Sequence, residues 1–217
     1  PDIFKLEIVT PIPKEFPTPS PNELRKISGL LNIYKIVEAI LSDFIIKDMS
    51  RKADPSQYGN KKGVSVNHYL INMINKILTV LDKNSTTEAM ACLTQFIDWS
   101  KAFDRQCPTL GVQSFIDNGV RPQLISILVN YFQNRRMVVK CHGKFSKEHC
   151  LRGGGPQGRT LGLLEYNSQC NNNADFVQPD ERYKFIDDLS ILEVINLITI
   201  GLTSYNFHNH KKFSLDF

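Results

Sequence analysis

Three aspartates stand out by type and placement. Asp98 closes a short apolar run, Ala91-Cys92-Leu93-Thr94-Gln95-Phe96-Ile97, and the adjacent pair Asp187-Asp188 interrupts another, Tyr183 to Leu192, about ninety residues later. Carboxylates delivered to one place by two strands can hold two divalent cations about 3.5–4 Å apart. One cation then activates an attacking oxygen and the other stabilises a leaving one, as phosphoryl and nucleotidyl transfer require. Adjacent aspartates on a straight strand point to opposite faces, so this pair serves a common site only if a tight turn carries it. Asp also favours hairpin tips and the positions just after strands. Neither the pair nor Asp98 with Asp104 therefore decides the matter alone.

The elements that must position these acids are legible in outline. Pro11, Pro13, Pro17, Pro19 and Pro21 around Lys14 exclude a helix, since each removes a donor and restrains its neighbour, so the first stretch is expected as strand and loop. Ile33, Ile36, Val37, Ile40, Leu41, Phe44 and Ile45 recur at helical spacing, predicting one apolar stripe along a helix that ends before the Asp54-Pro55-Ser56 turn. Val66, Leu70, Met73, Ile74, Ile77, Leu78 and Leu81 repeat the pattern. The run 91–97 fits a buried strand. Asn118-Gly119 marks a turn, and Pro122 opens a helix carrying Leu124, Ile125, Leu128 and Phe132. Arg135 to Lys140 with the Gly143 turn reads as a basic hairpin, and Gly153-Gly154-Gly155-Pro156 forces a loop. Two short strands are expected to meet at Asp187-Asp188, with a last helix through Ile195, Leu197, Ile198 and Leu202. Helices mixed irregularly with a few strands give an α+β class.

Composition narrows the field. The 217 residues suit one large domain or two closely shared subdomains. With 26 Lys and Arg against 22 Asp and Glu, bulk charge does not by itself announce nucleic-acid binding, which must come from local patches. Five cysteines, odd in number and without a CxxC pair, argue against a disulfide framework and a zinc ribbon, and a reducing compartment is the default. Neither a signal peptide nor a run of eighteen apolar residues is found, so an intracellular protein with no membrane association is expected, in nucleus or cytoplasm. Opening at Pro1 without Met, the chain reads as a piece of something longer.

Three segments in order, Phe96-Ile97-Asp98-Trp99-Ser100-Lys101-Ala102-Phe103-Asp104, Gly154-Gly155-Pro156-Gln157-Gly158 and Phe185-Ile186-Asp187-Asp188, resemble the motifs of reverse transcriptases, particularly those of non-LTR (LINE-like) retrotransposons. In that family they read roughly F-D-x-S-K-A-F-D, G-x-P-Q-G and an aromatic, a variable residue and D-D. Upstream, Pro11-Ile12-Pro13-Lys14, Leu24-Arg25-Lys26-Ile27-Ser28 and Gln57-Tyr58-Gly59 resemble its finger segments. The resemblance implies a right-hand polymerase with fingers and palm, thumb absent. Residues 1–90 would be fingers, with 106–148 fingers-like, and 91–105 and 149–217 would be palm. It further implies Asp98, Asp187 and Asp188 as catalytic, metal-binding acids for two Mg²⁺ ions, with Mn²⁺ as a substitute, Asp187 coordinating most directly. Phe103 would be the steric gate that excludes ribonucleotides, Gln157 would line the incoming nucleotide and template, and Arg25 with Lys14 would hold the triphosphate. The implied partners are an RNA or DNA template with its primer, and dNTPs; nothing indicates an oligomeric state.

Lys26 stands where the family usually has Pro, Phe185 where it has Tyr, and Ile186 where it has a small residue or Val. The palm's next, lysine-bearing motif is not found; Lys211 and Lys212 are late and unaligned. Two alternatives share these motifs: a catalytically inactive relic that only binds nucleic acid, and an RNA-dependent RNA polymerase, against which Phe103 and Pro156-Gln157-Gly158 weigh. Arg135, Arg136, Lys140, Lys144 and Lys147 form a cluster suited to backbone phosphates or simply to solvent. Trp99, the single tryptophan, reads as packing. Cys141, His149 and Cys150 lack zinc spacing and read as surface His with buried Cys, and Phe207-His208-Asn209-His210 is a chance string.

Overall fold

Prolines keep the start of the chain extended in the computed structural model, which describes residues 5–17, 20, 23–29, 32–84, 89–155 and 158–200. Strand β1 (Leu6–Pro13) pairs from Ile8 to Pro13 with antiparallel β2 (Leu24–Gly29) and from Leu6 to Val9 with parallel β4 (Arg136–Cys141). Pro11 and Pro13, which have no N–H, therefore fall in the half of β1 that has a single partner. The expected basic hairpin forms from β4 and β5 (Lys144–Phe145), and β6 (His149–Cys150) adds to β4. Its parallel union with β1 was not legible locally, because it joins segments more than a hundred residues apart.

A second, three-stranded sheet has the order β3-β8-β7, from β3 (Met90–Ile97), β7 (Arg182–Phe185) and β8 (Asp188–Asn196), all antiparallel. These are the strands expected beside the acids, with β8 running beyond Leu192. The last helix shows as α6 (Leu197–Ile200) without Ile195, which the longer β8 takes up in pairing with Ala91, and Leu202 with Phe207 to Lys212 lies outside the described residues.

Helices α1 (Asn32–Met49) and α2 (Val66–Leu81) lie where periodicity puts them, yet the faces they bury differ from the stripes read in sequence. Ile33, Ile36, Val37, Ile40 and Phe44 are exposed and Leu41 is half-buried; of that stripe α1 buries Ile45, together with Tyr34, Glu38, Ser42 and Met49. The physical reason is that Glu38 belongs to a buried ionic cluster described below, which draws a polar face inward. On α2, Tyr69, Met73 and Val80 are buried while Leu70, Ile74 and Leu78 are exposed. Tyr69 and Met73 pack on Tyr183 and Leu192 of the second sheet. The largest core joins α1 to α3 (Pro108–Asp117), α4 (Pro122–Phe132) and α5 (Thr160–Gln169) around Ile45, Phe115, Leu128 and Leu161. Helix α5 left no stripe in the sequence because it is buried nearly all round, through Leu161, Gly162, Leu164, Glu165, Tyr166 and Ser168.

Candidate active site

The two acidic motifs meet at one end of the second sheet. Ile97 is paired with Leu189 in the antiparallel register of β3 and β8, so the next position sets Asp98 opposite Asp188. Asp187 lies in the two-residue tip between β7 and β8, closed by the Phe185–Asp188 pair. The tip turns through Ile186, whose φ is 60°, a left-handed conformation costly for a β-branched residue. Burial raises the Asp188 carboxyl above the usual range, and the charges of Asp187 and then Asp98 add to it. Like charge thus accumulates here, and three carboxylates are hard oxygen donors of the type that suits Mg²⁺ or Mn²⁺. Among the described residues, however, no three His, Cys, Asp or Glu side chains are drawn into a ligand group as they stand.

Helix α5 forms the wall beside the acids. Burial raises the Tyr166 hydroxyl strongly, and the charges of Asp187 and Asp188 raise it further. The Tyr166 ring lies 5.1 Å, centroid to centroid, from that of Phe103, the expected gate. Phe103 sits in a 3₁₀ turn (Phe103–Arg105) that follows β3. Its carbonyl accepts a hydrogen bond of 2.7 Å from the Gly155 N–H, while the Gly154 N–H donates to the Gln106 carbonyl at 2.8 Å. The glycine loop is thereby stapled to the turn after the first acid. A Cβ at Gly155 would lie 1.5 Å from the Gln106 side-chain oxygen, so a side chain there would have to displace the buried Gln106 carboxamide. Gln157, with Pro156, lies outside the described residues.

Of the finger cations, Arg25 and Lys26 alternate along β2 and so leave it on opposite faces. Lys26 reaches the turn that follows β3, its Nζ 3.1 Å from Asp104 Oδ1, and borders a cleft of about 90 Å³ with Ser28, Asp104 and Gly153 to Gly155. Arg25 is exposed on the other face, opposite Ile12, and Lys14 is exposed just past β1.

Behind the glycine loop lies an ionic cluster that sequence reasoning missed. Arg135, read as part of the surface basic cluster, is instead buried and donates to Glu7 through Nε at 2.7 Å and through Nη2. Ser28 also donates to Glu7. Arg159, directly after Gly158, is fully buried. It donates to the Tyr131 hydroxyl at 3.1 Å and lies 3.6 Å from Glu7 and 3.9 Å from Glu38. The Tyr131 hydroxyl in turn donates to Glu38 at 2.7 Å. Burial holds the Glu38 carboxyl above its ordinary value. The cluster ties the exit of the Gly-Pro-Gln-Gly segment to β1, α1 and α4. Of the remaining basic cluster, Arg136 pairs with Glu148 at 2.9 Å, and Lys140, Lys144 and Lys147 stay exposed. Cys141 and Cys150 are exposed as well, not buried, because β5 and β6 are two-residue strands at the sheet's rim. Trp99 borders a cavity of about 430 Å³ with Leu110, Gln106 and Tyr166. Among the described residues no helix is long and apolar enough to cross a membrane.

This mixed α and β architecture, with acids on the tip of an antiparallel hairpin and on its neighbouring strand, has the fingers-and-palm fold of polymerases. The solved telomerase of Candida tropicalis in complex with a TWJ fragment of telomeric RNA matches it with a TM-score of 0.60 at 12% identity, over 87% of this chain and 36% of that one. No family model matches. Sequence relatives are the probable RNA-directed DNA polymerase from transposon X-element of Drosophila melanogaster, 31% identical over 180 residues, and that from transposon BS, 27% identical over 185 residues. The matches take in 82% and 81% of this chain, which spans about a fifth of the length of these relatives. The chain is thus a homologue, over about four fifths of its length, of RNA-directed DNA polymerases from Drosophila transposons.

Proposed function

We propose that the chain is the nucleotide-joining core of an RNA-directed DNA polymerase, which attaches dNTPs to a primer 3′-hydroxyl along an RNA template. The observation that carries this reading is the β3–β8 register, which sets Asp98 against Asp188 with Asp187 on the adjoining turn. These three side chains would hold two Mg²⁺ ions. Bound there, the ions make the primer hydroxyl a better nucleophile and offset charge on the departing pyrophosphate. Phe103, braced by Tyr166, presses on the sugar where a 2′-hydroxyl would sit and so favours dNTPs. Gln157 lines the nucleotide and template. Arg25 and Lys14 take the triphosphate, joined by Lys26, the finger cation that borders the cleft; a guanidinium fork suits phosphate oxygens in geometry as well as charge. The exposed Lys140, Lys144 and Lys147 suit the phosphates of the template–primer duplex. The first sheet and its helices serve as fingers and the second sheet as palm, and the working environment is intracellular.

Support for a nucleic-acid template comes from the naming of the relatives as RNA-directed DNA polymerases and from the RNA-bound state of the telomerase neighbour. The test is primer extension on an RNA template with Mg²⁺, comparing dNTPs with NTPs and the protein with its Asp187→Asn variant. Extension with dNTPs that the variant loses is expected. Extension preferring NTPs, or surviving in Asp187→Asn, contradicts the reading.

A further inference from the structure

The tip that carries Asp187 and Asp188 does not hold its shape unaided. Ser56 to Gly59 runs along β7 as an added edge: the Lys184 N–H donates to the Ser56 carbonyl at 2.9 Å, the Tyr58 N–H donates to the Lys184 carbonyl at 2.8 Å, and Gln57 bridges Lys184 in parallel sense. From this edge the Gln57 carboxamide reaches the tip. Its Oε1 accepts from the Ile186 N–H at 3.0 Å and from the Gly59 N–H at 2.8 Å, and its Nε2 lies 3.4 Å from the Ile186 carbonyl, to which it donates. One side chain therefore grips both ends of the residue that adopts the left-handed conformation. Gln57 is 8% exposed, so solvent is a poor substitute for these bonds.

Two further observations make this a fitted contact. A Cβ at Gly59 would lie 2.5 Å from the Ile186 nitrogen, so the edge approaches the tip as closely as a backbone can. Upstream, Asp54 accepts from the Ser56 N–H at 2.9 Å and pairs with Lys184 at 2.6 Å and Arg182 at 3.2 Å, both on β7. The Ser56 hydroxyl also donates to the Pro179 carbonyl at 2.8 Å. The edge is thus anchored to the strand whose tip it grips.

We propose that Gln57 is a positioning residue for the acidic turn: its carboxamide fixes the Ile186 peptide, and through it the directions in which Asp187 and Asp188 leave the hairpin. This rests on the polymerase reading for its consequence in catalysis, but the grip itself does not. Gln57→Met keeps the bulk and removes both hydrogen-bonding ends; Gln57→Glu keeps the acceptor for the Ile186 N–H. A small misdirection of reacting groups costs on the order of 100-fold in rate. Gln57→Met is therefore expected to lower kcat for primer extension about 10- to 100-fold while the KM for dNTP stays within about twofold, and Gln57→Glu to retain more activity than Gln57→Met.

In parallel, hydrogen exchange of the Ile186 amide, followed by NMR on the full chain without metal, should be at least about tenfold faster in Gln57→Met and near parental in Gln57→Glu. A folded Gln57→Met with parental kcat overturns the proposal, as does an Ile186 amide that exchanges no faster. If the parent protein extends no primer, the polymerase reading fails on its own, and the exchange rates alone decide the grip. If Gln57→Met does not fold, Gln57→Glu decides it: a protected Ile186 amide supports the proposal, and an unprotected one overturns it.

Discussion

Glu165→Gln is expected to stabilise this protein at neutral and alkaline pH and to do little in acid. Glu165 is fully buried on α5, where Oε1 accepts from Gln169 Nε2 at 3.2 Å and Oε2 has no partner. It packs so closely on α3 that a Cβ at Gly111 would lie 2.3 Å from Oε1. Burial pushes the carboxyl from 4.5 up to about 8, against a smaller downward pull from the charge of Arg135. The native state therefore holds this proton more tightly than the unfolded chain does. Stability is undiminished below the unfolded value near 4.5 and is lost as pH rises toward 8. At about 1.4 kcal/mol for each pH unit, the loss approaches 4 kcal/mol by pH 8, an order-of-magnitude figure. Gln has no proton to lose, so the gap between variant and parent should widen by about that much between pH 4.5 and 8, whatever constant cost its amide carries. Urea unfolding of both proteins at several pH values measures the gap. A gap that stays level across the range refutes the argument.

Further outcomes follow from other groups. Asp54→Asn leaves Lys184 and Arg182 buried without their counter-charge and should cost about 3–5 kcal/mol, read as a lower denaturant midpoint. Glu7→Gln, which strips the carboxylate from Arg135 and weakens its hold near Arg159, should destabilise by a similar amount, about 3 kcal/mol or more. The hydrogen bonds from Arg121 hold the Asp48 carboxyl down at about 2; in Arg121→Ala an NMR titration should find it near 3.8, with no acid-side loss left between those values. On the proposed gate role, with its ring braced on Tyr166, Phe103→Ala should relax the preference for dNTPs over NTPs by about 10-fold or more in single-nucleotide incorporation.

Much of the palm could be read from its residues because its information is local. Apolar runs of strand length end in acids, and a Gly-Pro-Gln-Gly segment falls between them, so β3, β7 and β8 were legible with little context. Periodicity likewise revealed α1 and α2, but a stripe says that a helix exists and not which side is covered. On α1 the covered side carries Tyr34, Glu38 and Ser42, which a hydrophobic pattern discounts. Helix α5, buried all round, has no stripe to find, and Arg135 reads as a surface cation until Glu7 is brought beside it from 128 residues away. Gln57 was visible only as part of a finger segment, because its partner at Ile186 is 129 residues distant. Lys26 was noted within an upstream segment and for breaking the family pattern, yet it is the cation of β2 that reaches Asp104.

The proposal that Asp98, Asp187 and Asp188 share a metal site is tested most directly with crystals grown with Mn²⁺, a template–primer duplex and a non-hydrolysable dNTP. The anomalous difference map should show density bounded by carboxylate oxygens of Asp98, Asp187 and Asp188, with the closest contacts at about 2.0–2.2 Å. Manganese density elsewhere, or density touching the 187–188 turn with the Asp98 carboxylate turned away from it, would contradict the account.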